Sequence, residues 1–193
     1  MNEIKYSFKY WGPFLFSTNV DLNTIKNIKK ILNKKTPHNK HLAGHIKEEF
    51  KIDNKLFGSI MEDYLNVYFK ESEMFYGRKI CENYTCESAW VNYMKPGEFN
   101  PPHTHDGAFS CVLYIDVPKK LVEENKKFKG RSAGPGAIRF DYGEDSRFVT
   151  STYSIFPKQN DFYIFPASLK HCVFPYTSKC TRISVSANFN VHS

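Results

Sequence analysis

The chain has 193 residues, 41% of them hydrophobic and 24% charged, which suits one globular domain with a sizeable core and excludes a disordered or low-complexity polypeptide. The formal net charge of +7 comes from lysines interspersed with acids, so it reads as a solvated basic surface, and nucleic acid is not expected as a partner. Five cysteines with no CxxC pair exclude a disulfide framework or a zinc ribbon, and no apolar run approaches the roughly 18 residues of a membrane span; with no secretory pattern at the N-terminus, a reducing cytoplasmic setting is expected.

The first strand candidate is the short apolar segment around Tyr6 to Tyr10. Asp21 to Asn33 is predicted helical: Asp21 suits an N-cap, and Ile25, Ile28, Ile31 and Leu32 recur at helical spacing beneath a lysine-rich outer face. A second helix is predicted over Asn54 to Phe69, with Leu56, Ile60, Tyr64, Val67 and Tyr68 on one side. After residue 85 the pattern changes to short β-prone segments separated by Gly, Pro, Asn and Asp: Ser88 to Met94, Ser110 to Val117, Ala137 to Tyr142, Phe162 to Phe165, Cys172 to Tyr176 and Arg182 to Asn190. Many short strands imply a sandwich, jelly roll or barrel rather than a parallel sheet. Helices followed by strands predict a single α+β, mainly β domain, in which a helix-rich N-terminal part (1–84) supports a β core (85–191). Loops from Lys119 to Pro135 and from Tyr142 to Ser154, the latter with Arg147 and Tyr153, are candidates for substrate recognition.

The chemistry concentrates in two places. In the segment Tyr93 to Gly107, His103 and His105 lie two residues apart, and in an extended chain such residues point to the same side. Two imidazoles can thus converge on one metal such as Fe, Zn, Cu or Ni. Farther on, Asn160 to His171 reads as a turn, an apolar strand, a Pro stop and a histidine. The segment after it alternates: Arg182, Ser184, Ser186, Asn188 and Asn190 share one face, and Ile183, Val185, Ala187 and Phe189 the other. A polar face headed by arginine is what a bound dicarboxylate needs, because guanidinium offers paired donors and a hydroxyl two residues on adds another. A solvent-facing edge strand carries the same alternation, so both readings stand on the pattern alone.

The order His103-x-His105, His171, Arg182-x-Ser184 resembles the HxD/E…H…RxS pattern of 2-oxoglutarate- and Fe(II)-dependent oxygenases. The approach from Tyr93 through Gly97 to His103 is similar to the prolyl 4-hydroxylase branch. The phrases around Asn100 to His105, Ser110 to Ile115 and Phe165 to His171 resemble a bacterial and viral family of 2-oxoglutarate oxygenases. The resemblance spans residues 85 to 191. It implies a double-stranded β-helix, or jelly roll, buttressed by the N-terminal helices, with His103 and His171 as ligands of Fe(II), Arg182 on the distal carboxylate of the co-substrate 2-oxoglutarate, and Ser184 assisting. Tyr93 and Tyr114 fall where that branch has tyrosines touching the co-substrate.

One position departs from the pattern: a histidine, His105, stands where the superfamily has a carboxylate, and Asp106 comes one residue late. Either His105 completes a three-histidine site or a bulged loop brings in Asp106. His105 is preferred because it keeps the in-phase spacing, with Asp106 then an acceptor orienting an imidazole. The implied reaction is that of a dioxygenase, most simply a hydroxylase, coupling oxidation of a substrate C–H bond by dioxygen to decarboxylation of 2-oxoglutarate to succinate and CO2. A prolyl side chain, a nucleobase and a small metabolite all stay open as primary substrate. A three-histidine cupin-type iron dioxygenase without 2-oxoglutarate draws on the same HxH pair, but it has no use for Arg182-x-Ser184. A jelly-roll binding module without catalysis would show no iron-dependent turnover.

Overall fold

The computed structural model describes residues 12–80 and 82–192. The strand expected around Tyr6 to Tyr10 lies outside the described residues. In chain order the elements are β1 (Phe16–Asn19), α1 (Leu22–Ile31), a 3-10 turn (Asn39–His41), β2 (Glu49–Lys51), α2 (Asn54–Ile60), α3 (Glu62–Tyr76), β3 (Asn83–Met94), β4 (Asn100–His103), β5 (Phe109–Asp116), α4 (Lys119–Lys127), β6 (Ile138–Asp141), β7 (Thr152–Ile155), β8 (Asp161–Pro166), β9 (Lys170–Val173) and β10 (Arg182–His192).

The strands form two sheets, a large one in the order β1-β8-β5-β10-β3-β2 and a small one in the order β4-β9-β6-β7, with every pairing antiparallel. The central strands are buried on both faces, and alternation divides their side chains between two cores. On β5, Cys111, Leu113 and Ile115 face the helices, where they meet Ile25 and Ile28 of α1, Phe57 of α2 and Leu65 of α3. Val112 and Tyr114 face the other way, into the space between the sheets, with Ile138 and Phe140 of β6 and Phe165 of β8. This is the expected α+β, mainly β jelly roll with helices against an outer face. Residues before 85 also contribute β1 and β2 to the large sheet.

Local chemistry explains most boundaries. Asp21 caps α1 by accepting from the backbone N–H groups of Asn23 (2.8 Å) and Thr24 (3.0 Å), and the Tyr64 hydroxyl donates to the same carboxylate at 2.9 Å, tying α1 to α3. Asp53 caps α2 through the Leu56 N–H at 2.9 Å. The helix predicted over Asn54 to Phe69 is instead two: the chain turns at Met61 (φ −95°, ψ 3°), whose side chain is wholly buried, and α3 runs on to Tyr76 before Gly77 ends it at φ 66°. The Lys119 to Pro135 stretch, expected as a loop, opens with α4. A single buried residue, Leu121, anchors that helix, so its lysines and glutamates gave no apolar stripe to read. Strand β4 contains Pro101 and Pro102, which fit because β4 is an edge of the small sheet.

Candidate metal and co-substrate site

Between the sheets lies a cavity of about 240 Å³. Its small-sheet wall carries His103, at the end of β4, directly opposite His171 on β9. His105 follows in the loop after β4, where its backbone N–H donates to the Ala167 carbonyl at 2.9 Å. The ligand nitrogens of His103, His105 and His171 all fall within 4.8 Å of one another, and the ring centroids are 4.3 to 5.0 Å apart. In-phase extended spacing thus brings the HxH pair to one point, as the sequence pattern implies. Asp106 is exposed and stands outside this group, although it lines the rim of the same cavity.

Backbone carbonyls set the state of two rings. The Nδ1–H of His103 donates to the Pro101 carbonyl at 2.7 Å, and that of His171 to the Leu169 carbonyl at 2.9 Å. A carbonyl can only accept, so each proton resides on Nδ1 and each Nε2 lone pair is left for a metal. Burial lowers all three imidazole pKa values, His171 to about 4 and His105 to about 3, so the cluster is neutral and competent to ligate.

The large-sheet wall carries the polar face of β10: Arg182, Ser184, Ser186 and Asn188 all line the cavity. Arg182 is 2% exposed; its Nη1 donates to the Gly136 carbonyl at 2.9 Å, its guanidinium carbon lies 5.3 Å from the Tyr114 ring centroid, and its Nε has no partner. The buried Tyr114 hydroxyl is likewise unpartnered. A buried guanidinium and a buried phenol with unused donors are costly unless an acceptor arrives. Ser184 sits across from Tyr114 in the β10–β5 register. A carboxylate fits this donor set, and a divalent metal fits the three neutral nitrogens opposite.

Tyr93, expected at the co-substrate, does not line this cavity. It lies on the opposite face of β3, packed against the helix-side core with the Lys34 ammonium 4.3 Å from its ring centroid. The residues in phase with the cavity are Trp90 and Asn92, and alternation along β3 could have identified them. Neither expected substrate loop lines the cavity: α4 packs its Leu121 into the core beside Gly136, and the Tyr142 to Ser154 segment lies around β7, the far edge of the small sheet. The segment Leu42 to Glu49 lines it instead, together with Asn100. No periodicity marked that segment.

A family model described as "Putative 2OG-Fe(II) oxygenase" matches residues 88–188, just over half of the chain. Among solved structures, a 2OG-Fe(II) oxygenase family oxidoreductase from Burkholderia pseudomallei is 11% identical with a TM-score of 0.57, covering 91% of this chain and 84% of its own. A prolyl hydroxylase from Trichoplax adhaerens, in complex with a hypoxia inducible factor oxygen degradation domain peptide fragment, is 12% identical with a TM-score of 0.53 over 92% and 83%. A Pseudomonas putida prolyl-4-hydroxylase is 14% identical with a TM-score of 0.54 over 93% of each chain. These likenesses establish the shared fold. A search of curated protein sequences finds no significant match. The family match, on a jelly roll whose cavity offers three histidines and an unpartnered buried arginine, shows that the chain belongs to the 2OG-Fe(II) oxygenases, enzymes that use Fe(II) and 2-oxoglutarate.

Proposed function

We propose that His103, His105 and His171 hold Fe(II), that Arg182 receives the distal carboxylate of 2-oxoglutarate with help from Tyr114 and Ser184, and that the reaction is hydroxylation of a substrate C–H bond. Bound Fe(II) and 2-oxoglutarate supply the oxidising chemistry, with dioxygen consumed and succinate and CO2 released. The observation that carries the assignment is the pairing, across one cavity, of three ligand nitrogens with the unpartnered Arg182 Nε and Tyr114 hydroxyl. The ligand nitrogens of His103, His105 and His171 lie within 4.8 Å of one another, a grouping that does not include Asp106, and this favours His105 as the third ligand.

The chain's own residues then do three things. The backbone carbonyls of Pro101 and Leu169 hold the two ring tautomers. Phe165, with its ring centroid 4.8 Å from that of His171, lines the cavity with Ile138 and Val173 and makes one wall apolar, which excludes water. Arg182 orients the co-substrate by paired donors. The cavity is smaller than the roughly 300–1,000 Å³ that encloses a drug-sized ligand, so beyond the co-substrate it takes the end of a primary substrate, a small molecule or a protein side chain. The four described cysteines Cys86, Cys111, Cys172 and Cys180 are free thiols, which fits a reducing cytoplasmic setting, and no described helix is long and apolar enough to cross a membrane.

The test is iron content of variants purified anaerobically with Fe(II). The assignment expects His105→Ala to lose iron and Asp106→Ala to keep it. The reverse outcome would transfer the third ligand to Asp106.

A further inference from the structure

The end of the cavity remote from Arg182 has an opposite character. Glu48 and Glu49 are adjacent on the chain but point apart. Glu48 is satisfied at the surface by Lys34 and Lys95. Glu49, in β2, is 1% exposed, lines the cavity, and its Oε2 has no hydrogen-bond partner. Two more acceptors stand unused beside it. Asn92 pairs with Glu49 in the β2–β3 register; its amide nitrogen faces Ser184 and Ser186 at 3.4 and 3.3 Å, which leaves its Oδ1 buried and unpartnered. The Oδ1 of Asn100 is also buried without a partner, and it shares the surroundings of Gly44 with the Glu49 carboxylate.

The position of Glu49 is enforced rather than incidental. Its carbonyl accepts from the His38 N–H at 2.8 Å, the Glu48 carbonyl accepts from the Tyr93 N–H at 2.9 Å, and the Lys47 N–H is bound by the Glu98 carboxylate at 3.1 Å. Arg182 does not neutralise it. The two are on strands β2 and β10, separated by β3, and two strand spacings amount to about 10 Å. Burial and the nearby charge of Glu98 push the Glu49 carboxyl up to about 8, the mark of an acid lacking the cation that would favour its ionised form.

Resting on the function proposed above, we infer that Glu49, Asn92 and Asn100 form the primary-substrate subsite, and that it accepts a cationic hydrogen-bond donor, an ammonium or guanidinium group. Three unpartnered acceptor oxygens converging at that end, Glu49 Oε2, Asn92 Oδ1 and Asn100 Oδ1, match such a group. The cavity is then polarised, with the anionic co-substrate at Arg182 and the cationic end of the substrate at Glu49.

The probes are 1-butylguanidinium and 1-butylammonium, with 1-butylurea as the uncharged counterpart, titrated calorimetrically into anaerobic protein loaded with Fe(II) and 2-oxoglutarate. At least one cation should bind roughly 10- to 100-fold more tightly than the urea, and Glu49→Gln should erase that preference while 2-oxoglutarate binding stays intact. Asn100→Asp, which adds a second carboxylate at the same end, should strengthen the preference and serves as the check if Glu49→Gln folds poorly. Equal binding of cations and urea, no binding of either cation, or a preference untouched by Glu49→Gln would overturn the subsite. Failure of wild-type protein with bound iron to take up 2-oxoglutarate would instead overturn the function it rests on, and the subsite with it.

Discussion

Replacing Arg182 by methionine separates what the residue does for the fold from what it does for the co-substrate. Its guanidinium is buried, holds one hydrogen bond to the Gly136 carbonyl, rests over the Tyr114 ring and leaves Nε unpartnered. Burial lowers its pKa, yet guanidinium does not give up its proton in proteins, so the penalty is borne as buried charge, several kcal/mol after relaxation. Against this stand one charge-assisted hydrogen bond of about 1.5–3 kcal/mol and a cation–π contact of about 2 kcal/mol. The terms nearly cancel. Methionine keeps the apolar stem, so the metal-free variant should be as stable as the parent or slightly more so, a thermal midpoint unchanged or raised by about 2–4 °C per kcal/mol for a chain of this size. Co-substrate affinity should move the other way. Loss of paired donors to a carboxylate costs about 3 kcal/mol or more, so 2-oxoglutarate should bind at least about 100-fold more weakly. Thermal unfolding of metal-free protein and anaerobic titration of 2-oxoglutarate into Fe(II)-loaded protein measure the two. A midpoint that falls by several degrees with unchanged affinity would refute the reasoning and make Arg182 a structural residue.

Tyr114→Phe should weaken 2-oxoglutarate binding about 5- to 10-fold, the value of one hydrogen bond near 1 kcal/mol, whereas Tyr93→Phe should leave it unchanged; the same titration checks both. His105→Ala should lower iron affinity by more than about 100-fold, since losing even an outer hydrogen-bond partner of a ligand costs 10–100-fold, and metal analysis of dialysed protein reads the loss. The metal-free protein should lose stability as pH falls from 6.5 toward 4. With His171 held at about 4 and His105 at about 3, the unfolded chain binds protons in that window that the native one refuses, so their contribution is complete above 6.5 and declines below it. Urea midpoints between pH 6.5 and 4.5 in a Glu49→Gln background, where the raised Glu49 carboxyl no longer opposes the trend, check the sign, and a midpoint rising as pH falls would contradict it.

The fold and the candidate site were legible wherever alternation or spacing was long enough to read. The polar face of β10, Arg182 through Asn188, lines the cavity, and the in-phase histidines converge. Asp21 reads as a cap and is one. The strands β1, β2, β4 and β7, three or four residues each, carry too little periodicity to show, whereas β6, equally short, is marked by its apolar β-prone residues. The resemblance implies a co-substrate contact for Tyr93, but phase decides which face a strand residue occupies, and Asn92 is the neighbour in phase with the cavity. Glu49 was invisible for a different reason. Its role arises from tertiary burial against β3, and an acidic pair in a short polar stretch looks the same whether both carboxylates are solvated or one is turned inward.

The central claim is a site that binds 2-oxoglutarate between three histidines and Arg182. Anaerobic protein loaded with one equivalent of Fe(II) should develop a weak visible metal-to-ligand absorption band on titration with 2-oxoglutarate, saturating at one equivalent, and form succinate slowly once dioxygen is admitted. Iron stably bound, with neither the band nor succinate, would contradict it.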